Sequence, residues 1–301
     1  MKIAIIGGGS AGIRHKRILE YLGHEVSLVS KHRPKSKNVF AEIDDLKALS
    51  VFDFIIVSNE TNKHEEAIVS IKERKFRGIL LVEKPLNSSL ELVAYSQFKD
   101  SFVGFNLRFH PGIIRLKKLV DSLPHEIVSV EMYYGNSTNN WRPDVLSHDS
   151  YSKSVTRGGG VLRDFCHEID LAHWLFGYRR VDYANGTKVS DFMVDGEDLV
   201  NIVLGGAKKF KVLIHLNSLQ KTPNRSITIR TTEIEYKLDL VNSTLKYRDK
   251  TEKFELGTDY SYQKMHEAII SEDKSKLASM KDGKVVDNII KDVEALYKVS
   301  L

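Results

Sequence analysis

Short apolar runs at residues 2–6, 25–29, 53–57, 79–82 and 102–104 punctuate the first third of the chain. Between them lie segments with the three-to-four-residue apolar spacing of helices, at 12–22, 43–49, 62–76 and 88–98. Strands that are apolar throughout are covered on both faces, so the alternation predicts a parallel sheet between two layers of helices. Right-handed crossovers make such a sheet doubly wound. An amphipathic helix over 110–122 leads to a different pattern. Polar and apolar residues alternate at 126–134, as in a half-buried strand. Further strands at 187–194, 199–204, 208–217, 226–230, 233–240 and 243–248 read as a mostly antiparallel meander, with a turn at Gly205-Gly206. A loop rich in Gly, Asn, Ser and Asp fills 135–160, a helix follows over about 164–176, and helices at 260–270 and 285–299 end the pattern. The expected architecture is an α/β domain over 1–121, then an α+β domain over 122–301 with one open, mostly antiparallel sheet.

Composition narrows the class. Of the 301 residues, 42% are hydrophobic and 28% charged, which is ordinary for a globular protein able to bury a core. One cysteine, Cys166, excludes a disulfide framework and a multi-cysteine zinc site, and fits a cytoplasmic protein. No run approaches about 18 apolar residues, so no membrane span is expected. Residues 1–6 turn into glycines after a very short apolar stretch and read as a strand, not a signal peptide. The net charge of +5 is mild and scattered apart from Lys31, Arg33, Lys35 and Lys37, so nucleic acid is not an expected partner.

Two segments carry chemistry. Gly7, Gly9 and Gly12, with Ser10 and Ala11 between, form G-x-G-x-x-G between the first strand and the first helix. Such glycines allow a tight turn and let the backbone approach a pyrophosphate at the helix amino terminus, as in a Rossmann dinucleotide domain. The second strand ends in Ser30-Lys31-His32-Arg33, where an NAD site usually has an acidic residue. The hydroxyl of Ser30 and the cations Lys31 and Arg33 suit a 2′-phosphate, so NADP(H) is expected ahead of NAD(H). The second segment is 158–170, three glycines followed by Asp164, His167 and Asp170. A continuous helix would stack those three on one face, a carboxylate-flanked imidazole suited to proton transfer. His173 falls six residues after His167, which is wrong for a His-x-x-x-His zinc helix, so no metal is expected. Glu83-Lys84-Pro85 follows the fourth strand at the end of the sheet where ligands bind, and the proline restricts Lys84 to an extended backbone.

The ordered set Gly7-x-Gly9-x-x-Gly12, Glu83-Lys84-Pro85, Gly158-Gly159-Gly160 and Asp164/His167/Asp170 resembles the Gfo/Idh/MocA oxidoreductases over essentially the whole chain. The segment 103–111 and Trp141-Arg142-Pro143 resemble a branch associated with sugar and surface-glycan metabolism. The resemblance implies a Rossmann domain, an open-faced sheet domain that often forms homodimers or homotetramers, and an active site between them. It implies Lys84 as the active-site lysine, His167 as the acid/base and Asp170 as its acidic neighbour. Asp164 stands one position closer to the histidine than in many members, a rotation of about 100° on a helix; it is read as a site residue or as a helix N-cap. Ser58, Asn59, Glu60, His64 and Glu83 fall where such proteins contact the nicotinamide half of the cofactor. Asn106, Arg108, Trp141, Arg142, Tyr151 and Arg163 are substrate candidates, with the arginines suited to an anionic sugar. The expected activity is hydride transfer to or from a carbinol or carbonyl carbon of a sugar, sugar acid or sugar nucleotide. Alternatives are a glycosidase or epimerase with tightly bound, recycled NAD, and a dinucleotide-sensing protein without turnover. A methyltransferase accounts for the glycines but not for Glu83-Lys84-Pro85.

Overall fold

The computed structural model describes residues 1–33, 36–46, 48–137, 154–190, 196–206 and 208–297. The chain forms two compact units, Met1–Asn106 with Asp259–Asp287, and Leu107–Thr258 with Asn288–Leu301. A single cut at 121/122 does not represent this division, because the chain returns to the first unit after completing most of the second. Among the described residues no helix is long and apolar enough to cross a membrane.

The first unit is built on strands β1 (Lys2–Ile6), β2 (Glu25–Val29), β3 (Val39–Phe40), β4 (Phe54–Val57), β5 (Ile79–Val82) and β6 (Asp100–Val103). They lie in the order β3-β2-β1-β4-β5-β6, all parallel, and Ala278–Ser279 adds an antiparallel edge beside β6. β4 and β5 are buried along their whole length, as their unbroken Phe-Ile-Ile-Val and Ile-Leu-Leu-Val demand. Helix α1 (Ser10–Tyr21) packs on β1 and β2, and α2 (His64–Glu73) on β4. This is the doubly wound order, whose direction reverses between β1 and β4; ligands bind outside the carboxyl ends of the strands at such a switch point.

The second unit holds α3 (Pro111–Asp121), the short helix α4 (Val161–Asp164), α5 (His167–Phe176) and an eight-stranded sheet. Its strands are β7 (Ile127–Gly135), β8 (Arg180–Thr187), β9 (Leu199–Gly205), β10 (Val212–Asn217), β11 (Asn224–Thr231), β12 (Glu235–Asp239), β13 (Thr244–Tyr247) and β14 (Lys250–Lys253). The order is β14-β13-β12-β11-β7-β10-β9-β8, antiparallel except where β7 runs beside β10. One face buries Val130, Met132, Ile202, Ile214 and Leu216, against which α4 and α5 pack. The other carries Tyr133 stacked on His215 and hydrogen-bonded to Asn217. The fold class is thus the one the apolar pattern predicts. Helix α6 (Tyr260–Ile270) belongs to the first unit, and α7 (Met280–Tyr297) is divided between the units at Asp287/Asn288.

Some elements differ from expectation for local reasons. Residues 88–98 form only one 3-10 turn, Leu92–Tyr95. Ser88 Oγ accepts from the Leu90 N–H and the Tyr95 hydroxyl, while Ser89 gives its N–H to Glu65, so side chains take the place of helical partners. Residues 43–49 likewise give single turns at Ile43–Asp45 and Leu49–Val51. Of the strand expected at 187–194 the residues 191–194 lie outside the described residues, and a strand not expected from the pattern runs over Arg180–Thr187. Beyond it, buried Asp198 takes the N–H groups of Val189 and Ser190 at 2.8 and 2.9 Å, which removes them from any ladder. β3, at a sheet edge, is only the two residues Val39–Phe40, too short to stand out as a run, and β14 is polar throughout.

Candidate functional site

The three glycines of the turn after β1 have separate physical reasons. Gly7 has φ +116°, and a Cβ there would lie 2.4 Å from the Asn59 amide nitrogen. Gly12 admits no side chain, because a Cβ would stand 1.9 Å from the Gly7 carbonyl oxygen. Gly9 is different: its φ of −72° is ordinary and nothing lies within 4 Å of an added Cβ. Two glycines are thus required by the fold, and the middle one faces open space at the start of α1. Ser10 and Ala11 are the first residues of that helix.

Several other sequence candidates gather at this turn. Ser58 Oγ donates to the Ile6 and Gly7 carbonyls at 3.3 and 3.2 Å, joining the ends of β1 and β4. Ser30 is buried against Gly8, where its Oγ would meet an added Cβ at 2.4 Å. Arg33 donates from Nε to the Gly8 carbonyl at 3.3 Å. Lys31 instead pairs with Glu42 at 2.8 Å on the exposed surface. Asn59 donates to the Lys63 carbonyl at 3.2 Å, while its buried Oδ1 has no partner among the described residues. Glu60 pairs with Lys63 at 3.1 Å.

At the end of β5, Glu83 is buried and Lys84 donates its own N–H to Glu83 Oε2 at 3.1 Å. The Lys84–Pro85 peptide bond is cis. His64, at the start of α2, lies with Nδ1 3.0 Å from the Pro85 carbonyl and Nε2 3.3 Å from that of Asn59. Burial lowers its pKa despite Glu83 nearby. A neutral imidazole has one hydrogen, so His64 donates to one of these carbonyls at a time.

In the second unit the expected continuous helix is broken. α4 ends at Asp164, and α5 starts at His167 with Cys166 in the N-cap position. Asp164 therefore neither caps α5 nor shares a helical face with His167 and Asp170, because Phe165 leaves the helical path (φ −106°, ψ 22°). α5 is buried almost all round, including His167, Glu168 and Asp170 in its first turn. Carboxylates are favoured there by the helix dipole. Each is gripped by an arginine: Asp170 by Arg108 at 3.0 and 2.5 Å, Glu168 by Arg225 at 2.6 and 2.9 Å. Burial opposes the charge of Arg225, but Glu168 outweighs it, and the guanidinium lies 4.1 Å from the Tyr134 ring centre. Two forked pairs thus fix the turn that presents His167.

Comparison with known proteins follows this geometry. Residues 113–236 match the family model for the GFO/IDH/MocA C-terminal domain. That match lies within the second unit and covers less than half of the chain. No curated protein matches it. Among solved structures it is similar to UDP-N-acetylglucosamine 3-dehydrogenase GnnA from Acidithiobacillus ferrooxidans, at 17% identity over 99% of this chain and 98% of that one, TM-score 0.76. It is similar to levoglucosan dehydrogenase in complex with NADH, at 18% identity over 99% and 98%, TM-score 0.77. An oxidoreductase from Agrobacterium radiobacter, in complex with NAD+, L-tartaric acid and magnesium, matches at 16% identity over 99% and 95%, TM-score 0.78. At these identities the likeness establishes the shared fold.

The substrate candidates divide. Trp141, Arg142 and Tyr151 lie outside the described residues. Asn106 is buried at the end of the first unit's opening segment. Arg108 grips Asp170, and Arg163 is held by Glu294 at 2.8 and 3.1 Å, so both guanidinium groups have protein carboxylates as partners. Sequence reasoning passed over Arg225 and Glu168, and also His15 and His266, which stand behind Glu83. The signal for His15 was present: it sits three residues after Gly12, in register with the buried residues Ile18 and Leu19 of a helix with a polar exposed side.

Proposed function

We propose that the protein is a nicotinamide-dinucleotide-dependent oxidoreductase acting on a carbinol or carbonyl carbon of a sugar-type substrate. The observation that carries this reading is Gly9, open above and flanked by two glycines that backbone contact requires. That division of labour suits a turn that admits a pyrophosphate. Asn59 Oδ1, buried without a partner among the described residues, is a free acceptor at the same switch point. The turn at Gly7, Gly9, Ser10, Ala11 and Gly12 would hold the pyrophosphate, with Ser58, Asn59, Glu60, His64 and Glu83 around the nicotinamide half. Levoglucosan dehydrogenase in complex with NADH and the Agrobacterium radiobacter oxidoreductase in complex with NAD+ support a dinucleotide of this kind.

The bound dinucleotide supplies hydride acceptance and donation at nicotinamide. In the oxidising direction the carbinol carbon loses a hydride and its hydroxyl loses a proton, which His167 takes; in reduction His167 returns it. Lys84 is assigned the part of a hydrogen-bond donor to a substrate oxygen, where it favours developing negative charge. The proton falls to His167 rather than Asp164, because the paired arginines hold the first turn of α5 while α4 ends at Asp164. NADP(H) is the preferred form because Ser30 and Arg33 border the turn and no carboxylate ends β2; Lys31, paired with Glu42, is not assigned to the 2′-phosphate. The substrate is a sugar, sugar acid or sugar nucleotide, in keeping with the sugar and sugar-nucleotide dehydrogenases among the neighbours.

Fluorescence titration with NADPH and NADH tests the cofactor, and turnover with a panel of sugars and sugar nucleotides tests the chemistry. Binding of neither dinucleotide overturns the reading, and equal affinity for both removes the NADP(H) preference. His167→Ala should bind the dinucleotide normally and lose about 10²–10⁴-fold in turnover, the usual scale for a general acid/base. Unchanged turnover removes His167 from its role.

A further inference from the structure

Behind Lys84 runs a buried line of three titratable side chains. Nε2 of His15, on α1, lies 2.9 Å from Glu83 Oε1. Nδ1 of the same ring lies 2.8 Å from Nε2 of His266, on α6. His15 and His266 are fully buried and Glu83 nearly so. The two imidazoles meet edge to face, with centres 4.9 Å apart and planes at 79°, and Tyr262 closes the other side of His15 at 5.4 Å. Room for the Glu83 carboxylate comes from Gly104 at the end of β6, where a Cβ would lie 3.0 Å from Oε1.

The direction of these bonds follows from the chemistry. An ionised carboxylate only accepts, so Nε2 of His15 carries the hydrogen. Burial holds His266 well below the usual imidazole pKa, so that ring is neutral. Its Nδ1 is buried with no partner among the described residues. A bare lone pair is a cheaper orphan than a buried N–H, so the one hydrogen of His266 belongs on Nε2, donated to His15 Nδ1. The line therefore points toward Glu83. Burial alone would raise the carboxyl pKa of Glu83, yet the hydrogen bond from His15, then the charge of Lys84, bring it below the usual value. The titratable groups facing Glu83 are His15 from α1, His64 from α2 and its neighbour Lys84, with His266 standing behind His15.

We propose that His15 is a positioning residue that acts through Glu83 to keep Lys84 a charged hydrogen-bond donor, with His266 fixing the His15 ring. This rests on the role given to Lys84 above. A buried carboxylate one residue from a working lysine favours the ammonium form only while it is itself ionised. The donor from α1 sustains that ionisation, and the same carboxylate holds the Lys84 N–H at 3.1 Å.

Competitive labelling of the full-length protein with acetic anhydride, read at Lys84 by peptide mass spectrometry across pH, tests this without substrate or dinucleotide. His15→Leu removes the donor. Its Lys84 should label roughly tenfold faster at neutral pH, the scale of losing one opposite charge at close range. The labelling midpoint should move to lower pH while the limiting rate at high pH stays that of wild type. His15→Gln, whose amide N–H reaches toward Glu83, should restore the wild-type midpoint. A raised limiting rate with an unmoved midpoint means loosened packing alone and overturns the proposal. Should His15→Leu not fold, Glu83→Gln is read the same way; it removes the charge and keeps the shape, and an unmoved Lys84 midpoint there overturns the proposal equally. Absence of turnover with a moved midpoint defeats the oxidoreductase reading alone, whereas an unmoved midpoint in an active enzyme defeats only the role of His15.

Discussion

Replacing Gly9 and Gly12 one at a time by alanine separates what the fold needs from what a ligand needs. At Gly9 the backbone, φ −72° and ψ −173°, is open to any L-residue, and nothing lies within 4 Å of the new methyl. Restricting the unfolded chain stabilises such a replacement by about 0.4–1 kcal/mol. Gly9 is also the N-cap of α1, where alanine is worse than glycine by roughly 0.5–1 kcal/mol. The two effects offset, so the apo protein should unfold at an unchanged urea midpoint, within about 0.5 kcal/mol. At Gly12 the methyl would stand 1.9 Å from a backbone oxygen that has no flexible end to move. Overpacking of this kind costs about 1–3 kcal/mol or more. Dinucleotide affinity should reverse the ranking of severity for Gly9. A methyl in the space a pyrophosphate needs, with the same 1–3 kcal/mol penalty, weakens binding roughly 5- to 150-fold. Urea denaturation of both variants and fluorescence titration with NADPH and NADH supply the two measurements. Wild-type affinity in Gly9→Ala refutes the assignment of the open space to the cofactor, and destabilisation of Gly9→Ala equal to that of Gly12→Ala refutes the packing argument.

Two further outcomes follow from groups away from the glycine turn. His110 caps α3 by accepting the Gly112 N–H at 3.1 Å, and burial, then Arg225, lowers its pKa to about 4. The unfolded chain takes up a proton near pH 6.5 that the folded one refuses, so the contribution of His110 is complete above 6.5 and is lost as pH falls toward 4; it amounts to about 3 kcal/mol. Urea midpoints at pH 7 and 5 should show the loss, and His110→Asn, which can still cap, should show a flatter dependence; an equal slope in both counts against His110. The double replacement Arg225→Met with Glu168→Leu should leave stability unchanged or raise it by about 1–4 kcal/mol, as for other buried pairs exchanged for apolar ones. Turnover should nevertheless fall, and wild-type turnover in that variant removes the pair from any part in presenting His167.

The doubly wound half was legible because its physics is local. A strand covered on both faces must be apolar throughout, and β1, β2 and β5 lie over the residues where the apolar runs stand. The glycine spacing was legible for the same reason, since Gly7 and Gly12 answer to contacts at one turn. Where polar side chains compete with the backbone, the periodic signal misled: 88–98 has helical spacing, yet Ser88 and Ser89 bind side chains instead. The break at Phe165–Cys166 was hidden in the same way, for 164–176 reads as one helix. The charged partners of the candidate site were out of reach altogether. Arg108 and Asp170 are 62 residues apart, Arg225 and Glu168 are 57 apart, and His15 and His266 are 251 apart. No spacing rule joins residues on different elements, because the meeting of their side chains depends on packing that the whole fold sets.

Those long-range pairs share one arrangement. Beside Lys84 a buried carboxylate is held by an imidazole, and beside His167 two buried carboxylates are held by guanidinium groups. Burying such pairs is a poor way to gain stability, since desolvation of both ions cancels much of their attraction and apolar packing does as well or better. What a forked pair adds is direction: it fixes the rotation of a helix turn or the carbonyl and amide of a strand end to within a fraction of an ångström. Proton and hydride transfer are steep functions of that placement, and a displacement of about 1 Å can cost 10²-fold in rate. If Lys84 and His167 carry the proposed chemistry, carboxylates buried next to them, each with its own locking partner, are better explained by preorganisation of those two residues than by the stability of either unit.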